Sequence, residues 1–213
     1  MTKLEKLNQE SSSKVDLEKI ERAIEFAKKY HDGQFRKNGE PFYSHPLEVA
    51  YLISDYCFKT CVIAASILHD VVEDTEATIG NILDHFGWRI ATLVDGVTRY
   101  VGGEKVSIEY IVNRACEKDD FEILLIKLFD RLHNVRTANF LSREKRKAML
   151  QETLEQVLAI ALFFGAYSVE SELGRLCKMG INGNKSAEEK VMSLLGDEES
   201  DLSEIFSPPN KLL

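Results

Sequence analysis

The sequence predicts an all-α domain of roughly eight to ten helices. Three observations lead there. Apolar residues recur at spacings of three and four, as in Leu17, Ile20, Ile24 and Ala27, which is the period of one helix face. No strand-length run alternates apolar and polar residues between turn signals. Gly87 and Gly165 close or break periodic segments, and Pro46 stands where one begins. At 213 residues the chain can bury one sizeable core and is short for two domains. The expected organisation is a polar lead-in over 1–14, one helical domain over 15–180, and a C-terminal extension over 181–213 ending in a mobile acidic tail.

Taken in order, residues 1–14 are polar and end in Ser11-Ser-Ser13, reading as a poorly ordered lead-in. The first amphipathic helix runs from Leu17 to about Tyr30. The segment from His31 to Phe42, with two glycines, a proline and charges between them, reads as a loop. Pro46 suits the first position of a helix to about Tyr56, because its missing N–H costs nothing there. An apolar helix follows from about Thr60 to Val72. Thr78 caps the next, with Gly87 as its stop, and Trp88 to Val94 forms a short one. Tyr100 to Lys105 carries Gly102-Gly103 and reads as a flexible connection. Helices are expected over 106–118, from Phe121 to about Phe140, from Arg143 to about Phe164, and near Ser168–Met179. A short helical pattern at Ala187–Leu195 lies in the extension.

A net charge of −8 excludes broad binding to a nucleic-acid backbone, which needs a basic surface. A small anionic substrate is still allowed, since a local basic cluster or a metal can receive one. No apolar run approaches the roughly 18–20 residues needed to cross a bilayer, and the N-terminus lacks a hydrophobic signal segment, so a cytoplasmic protein with no membrane partner is expected. The four cysteines form no CxxC pair and read as buried free thiols. The oligomeric state is open, a homo-oligomer included.

The chemistry concentrates at Ile67-Leu-His-Asp-Val-Val-Glu-Asp-Thr75. On a helix of about 100° per residue, His69, Asp70, Glu73 and Asp74 fall within a sector of about 140°. Carboxylates crowded at the end of a buried helix repel one another and lose hydration. A bound divalent cation removes both penalties, and the Glu-Asp pair behind the His-Asp doublet can orient or deprotonate a water on it. Further along, Lys127, Asp130, Asn134 and Thr137 share one face of a helix whose other face carries Leu124, Leu128, Leu132 and Val135. A cation, a carboxylate, an amide and a hydroxyl in line suit ligand contact better than a solvated face of Glu and Lys.

These segments resemble the hydrolase domain of the RelA/SpoT family, within the HD superfamily of metal-dependent phosphohydrolases. The matching stretches are HDGQFRKNGEPFYSHP (31–46), ILHDVVEDT (67–75), FGWRIATLVDGVTR (86–99) and IKLFDRLHNVRT (126–137), with ETLEQVLAIALFFGAYSVESEL (152–173) fitting in order. The resemblance spans roughly residues 17–178 and implies an HD-domain helical bundle. It implies one Mn²⁺ held by His45, His69, Asp70 and Asp130, with Glu73 and Asp74 positioning or activating the attacking water. Arg36, Lys37, Lys127, Asn134 and Thr137 then contact the nucleotide. The implied activity is hydrolysis of the 3′-pyrophosphate of the alarmones ppGpp and pppGpp, giving GDP or GTP and pyrophosphate. His31 and His133 flank the motifs and read as hydrogen-bonding scaffold residues.

Two positions depart from the family pattern: Phe129 stands where alanine is usual, and Asn38 replaces a common serine. About 40 residues follow the matched region, so a stand-alone hydrolase or a fragment of a longer enzyme is expected rather than a chain with a synthetase domain. Two other readings stay open: an HD phosphohydrolase on another nucleotide such as NADPH at its 2′-phosphate, and a non-catalytic alarmone-binding module.

Overall fold

A helix that is apolar on every side has no face to turn to water and must be buried. The segment after Lys59 is built that way. In the computed structural model, which describes residues 2–101 and 104–181, every residue from Val62 to His69 is buried. The helices are α1 (Thr2–Glu10), α2 (Leu17–Tyr30), α3 (Ser44–Ile53), α4 (Thr60–Leu68), α5 (Val71–Asp74), α6 (Ile79–Phe86), α7 (Trp88–Val97), α8 (Ile108–Glu117), α9 (Glu122–Arg136), α10 (Arg143–Glu152), α11 (Leu158–Phe163) and α12 (Tyr167–Ile181). The fold is all-α. Residues 100–105, expected as a flexible connection, instead form a minimal antiparallel hairpin of β1 (Tyr100–Val101) and β2 (Glu104–Lys105). The chain divides into two compact units, residues 1–133 and residues 134 onward.

In the first unit α2, α3 and α7 pack around α4, and α6 packs on α7. Ser66, the buried polar residue of α4, donates its hydroxyl to the Val62 carbonyl at 2.8 Å, so its hydroxyl is not orphaned. Where a poorly ordered lead-in was expected, α1 is helical. Its Lys3 Nζ lies 2.8 Å from Asp55 and 3.8 Å from the Tyr51 ring centre. The helix α3 begins at Ser44 rather than at Pro46, which still sits in the first turn, where a backbone donor has no helical acceptor. Thr78 caps α6 in a reciprocal capping box with Asn81, and Gly87 ends it at φ 86°. The α7 helix continues three residues past Val94, to Val97.

The start of α9 is fixed by charge. Arg89, at the head of α7, reaches Asp120 and Glu122, and Glu122 also takes Lys59 at 2.8 Å, just ahead of α4. An acidic residue in the first turn of α9 also suits the helix dipole. Three elements are thereby pinned at the end of α9 from which its inward face runs.

In the second unit, the single helix expected from Arg143 to Phe164 is interrupted. Residues Thr153–Val157 form a π turn between α10 and α11. Thr153 is fully buried, and its hydroxyl donates to the Met149 carbonyl at 2.7 Å, competing with the backbone ladder at that point. Arg136 holds Glu172 in a two-point contact, each at 2.8 Å. The pattern at Ala187–Leu195 and the acidic tail lie outside the described residues. All four cysteines are free, but of the expected buried thiols only Cys57 and Cys177 are buried, Cys61 being intermediate and Cys116 on the exposed side of α8; burial pushes the Cys57 thiol up to about 11, so it stays protonated. Among the described residues no helix is long and apolar enough to cross a membrane.

Gly96 shows how closely α7 approaches α9. A β-carbon there would come 2.8 Å from Cγ1 of Ile123, a residue that is 1% exposed. Gly96→Ala is therefore expected to destabilise the protein by about 1–2 kcal/mol, because the overpacking outweighs the gain in helix propensity. Urea denaturation of the two proteins checks this; an unchanged or higher midpoint contradicts it.

Candidate metal centre

The buried α4 delivers His69 at its C-terminal end. The His69 ring is fully buried, and its Nδ1 lies 2.7 Å from the Ser66 carbonyl. A carbonyl only accepts, so Nδ1 carries the proton and Nε2 presents its lone pair to the other side of the ring. On that side Asp70 Oδ1 stands 3.0 Å away and Asp130 Oδ1 3.7 Å away. From the first turn of α3, His45 brings its Nε2 to 3.1 Å from Asp130 Oδ1 and 3.5 Å from Asp70 Oδ2. Ligand atoms of His45, His69 and Asp70 all lie within 4.8 Å of one another. Side chains from three separated segments thus meet at one point.

The helix expected to run through the His-Asp doublet is broken there: α4 ends at Leu68 and α5 begins at Val71. The break is slight. His69 and Asp70 keep right-handed helical dihedrals, and the Asp74 N–H still donates to the Asp70 carbonyl at 2.9 Å. Glu73 and Asp74 therefore stay one turn beyond the doublet. Glu73 accepts the Arg99 backbone N–H at 2.7 Å through Oε1. The backbone carbonyl of Asp74 accepts the Gln34 amide at 3.0 Å, and the same amide's oxygen accepts His31 Nδ1–H at 2.8 Å.

The loop of residues 31–43 is ordered by its own backbone. A bridge joins Phe35 and Pro41, the Arg36 N–H donates to the Glu40 carbonyl, and Gly39 turns at φ 85°. Asn38 works inside this turn, bonding Glu40 through both its amide nitrogen and its oxygen. Arg36 is half-buried with Nη1 3.3 Å from His133 Nδ1. Lys37 is exposed. Lys127 is 5% exposed and reaches Asp130 Oδ2 at 3.4 Å, so it is bonded to an acidic member of the cluster. Phe129 is accommodated by the core: it is 1% exposed, with its ring centre 4.9 Å from that of Tyr56. Asn134, in the last turn of α9, and Thr137 belong to the second unit, where the Thr137 hydroxyl lies 3.4 Å from the Asn134 carbonyl.

The HD domain family matches residues 23–159. The chain belongs to the HD-domain family. It is 41% identical over 160 residues to the guanosine-3′,5′-bis(diphosphate) 3′-pyrophosphohydrolase of Aquifex aeolicus, covering 73% of this chain and 23% of that one. It is 36% identical over 202 residues to the GTP pyrophosphokinase rsh of Brucella abortus, covering 88% of this chain and 27% of that one. This HD-domain chain thus spans about a quarter of the length of these curated relatives. Among solved structures it resembles a metazoan orthologue of SpoT described as hydrolysing ppGpp, at a TM-score of 0.65 and 26% identity, over 76% of this chain and 94% of that one.

The electrostatics of the HD-domain cluster fit a divalent cation. Nε2 of His69 is buried and faces the carboxylates of Asp70 and Asp130. Burial opposes charge on His69, yet Asp70 and Asp130 outweigh it and raise the ring's affinity for a proton well above normal. Burial likewise pushes the Asp70 carboxyl up, but His69, by charge and hydrogen bond, draws it down to about 2. Asp130 is held well below the usual range against the same burial, by Lys127 and then by His45 and His69. Two acids this near each other and two imidazoles need positive charge between them, and a proton or a metal ion supplies it. Two nitrogens and two carboxylates suit a divalent ion with positions left for water and a phosphate oxygen.

Asp74 behaves in the opposite sense. Partial desolvation, then the negative charges of Asp70 and Glu73, push its carboxyl up to about 6, with solvent at the exposed side chain screening part of the effect. Its folded value exceeds the unfolded one, so its contribution to stability is full below about pH 4 and lost as pH rises through about 6. In metal-free protein, Asp74→Asn should flatten the fall in stability between those pH values. Thermal unfolding across that window checks this; identical slopes contradict it. Sequence reasoning missed Gln34 and the Arg99 N–H, because both act through bonds that only the folded loop and the end of α7 create.

Proposed function

We propose that this HD-domain protein hydrolyses the 3′-pyrophosphate of ppGpp and pppGpp, giving GDP or GTP and pyrophosphate, in the cytoplasm and with Mn²⁺. The observation that carries the reading is the meeting of His45, His69, Asp70 and Asp130 around the buried Nε2 of His69. The names of the Aquifex relative and of the SpoT orthologue, together with the four motifs, support the choice of alarmone.

His45, His69, Asp70 and Asp130 would hold the ion. When bound it lowers the pKa of water and offsets negative charge building on the phosphoryl group. Asp74 is the proton acceptor: its raised carboxyl is basic enough to take a proton from the attacking water near neutral pH. Glu73, held by the Arg99 N–H, keeps its second oxygen to orient that water. Water adds to the phosphorus of the 3′-diphosphate, the bond from that phosphorus to the 3′-oxygen breaks, and the departing 3′-oxygen ends with a proton. Arg36 and Lys37 sit on a backbone-ordered hairpin suited to an anionic nucleotide, and Lys127 balances charge beside Asp130. Asn134 and Thr137 are assigned to the nucleotide on the resemblance.

Purified protein with Mn²⁺ is expected to release pyrophosphate from ppGpp and to turn over NADPH far more slowly. Asp130→Asn, which keeps the shape and removes a ligand charge, is expected to lower kcat/KM by about 10²-fold or more. Metal-replete wild-type protein with no ppGpp turnover rejects the reading. The acid limb of kcat/KM should fall at or below about pH 6, since a bound cation offsets part of the rise in the Asp74 carboxyl. Loss of that limb in Asp74→Asn, measured on its residual rate, assigns it.

A further inference from the structure

Nδ1 of His133 is approached by two donors. His45 Nδ1 stands 2.7 Å from it, and Arg36 Nη1 stands 3.3 Å from it. Arg36 is a donor only, so the nitrogen it meets acts as an acceptor. The same nitrogen then requires the hydrogen on His45 Nδ1. With its proton placed there, His45 offers the lone pair of Nε2 toward Asp130 and Asp70. The His45 and His133 ring centres are 4.8 Å apart at 39°, a hydrogen-bonding arrangement rather than a stack.

The contrast with His69 is informative. Its ring is held by the Ser66 carbonyl, an acceptor that belongs to the backbone and that no substitution removes. The corresponding acceptor for His45 is a side chain, three residues beyond Asp130 on α9, and it is shared with the arginine of the 31–43 loop. Carbonyl or carboxylate is the usual partner for a metal-binding histidine; here an imidazole takes that place.

We propose that His133 is a positioning residue that fixes the tautomer and direction of His45 and, through the same nitrogen, anchors Arg36 over the metal centre. It touches neither ion nor substrate. The inference rests on the metal reading of His45, His69, Asp70 and Asp130 given above.

The test is calorimetric titration of metal-free protein with Mn²⁺ alone, so that no catalysis is needed. An asparagine at this position places its carbonyl oxygen close to where Nδ1 stands, whereas a glutamine extends its oxygen toward the place of Nε2. His133→Asn is expected to bind Mn²⁺ within about threefold of wild type, and His133→Leu and His133→Gln about 10- to 100-fold more weakly. Equal affinities across all four proteins overturn the proposal, as does a loss in His133→Asn as large as in His133→Gln. If His133→Leu fails to fold, the asparagine and glutamine pair decides alone. Wild-type protein that takes up no Mn²⁺ rejects the metal reading itself, and this inference with it; a wild type that binds, beside variants that bind equally, rejects only the role of His133.

Discussion

The hydrogen bond from His69 Nδ1 to the Ser66 carbonyl is the constraint on which the centre depends. It exists because α4 is apolar all round and so must run through the middle of the first unit, with α2, α3 and α7 around it. At the end of such a helix the last carbonyls have no helical donor. A ring nitrogen from the next turn satisfies one of them. The same bond settles which nitrogen of His69 is protonated and turns the other toward the acids. A buried helix and the His-Asp doublet are thus consecutive for a physical reason. A rigid, fully packed mount holds a ligand more accurately than a loop can.

Around that ring the charges are arranged to be incomplete. Asp70 and Asp130 remain ionised against the cost of burial only because His69, His45 and Lys127 stand close. Their demand for positive charge is what a divalent ion meets. At Asp74, a turn further on, burial and the charges of Asp70 and Glu73 outweigh the pull of His69, and the carboxyl moves the other way. Carboxylates within a few residues of each other therefore differ in their hold on a proton, weak at Asp70 and strong at Asp74. Environment divides them, since their chemistry is the same.

Much of this was legible in the sequence. The helical period of Leu17, Ile20, Ile24 and Ala27, the Thr78 cap and the Gly87 stop placed α2 and α6 within a residue or two, because those signals are local. The doublet at 69–70 and the polar face of Lys127 and Asp130 were visible as side chains that a bland helix would not carry. Less visible were features decided by neighbours. Thr153 is an ordinary helix residue until its buried hydroxyl takes the Met149 carbonyl and opens a π turn. The N-terminal residues read as polar filler, yet Lys3 finds Asp55 and the face of Tyr51. Gln34 gave no signal, since its amide matters only once the loop is folded against the end of α5. Asn38, a departure from the family pattern, proves to be bonded within its own turn.

The contact between Glu73 and the Arg99 N–H joins the carboxylate one turn past the His-Asp doublet to the chain just ahead of the small hairpin. The donor is main chain, so it is indifferent to which side chain stands at 99. Of the twenty amino acids, proline alone would delete it. The orientation of the Glu73 carboxylate is therefore insulated from ordinary drift at that position, while any change that shifts the path of the hairpin is transmitted to it directly.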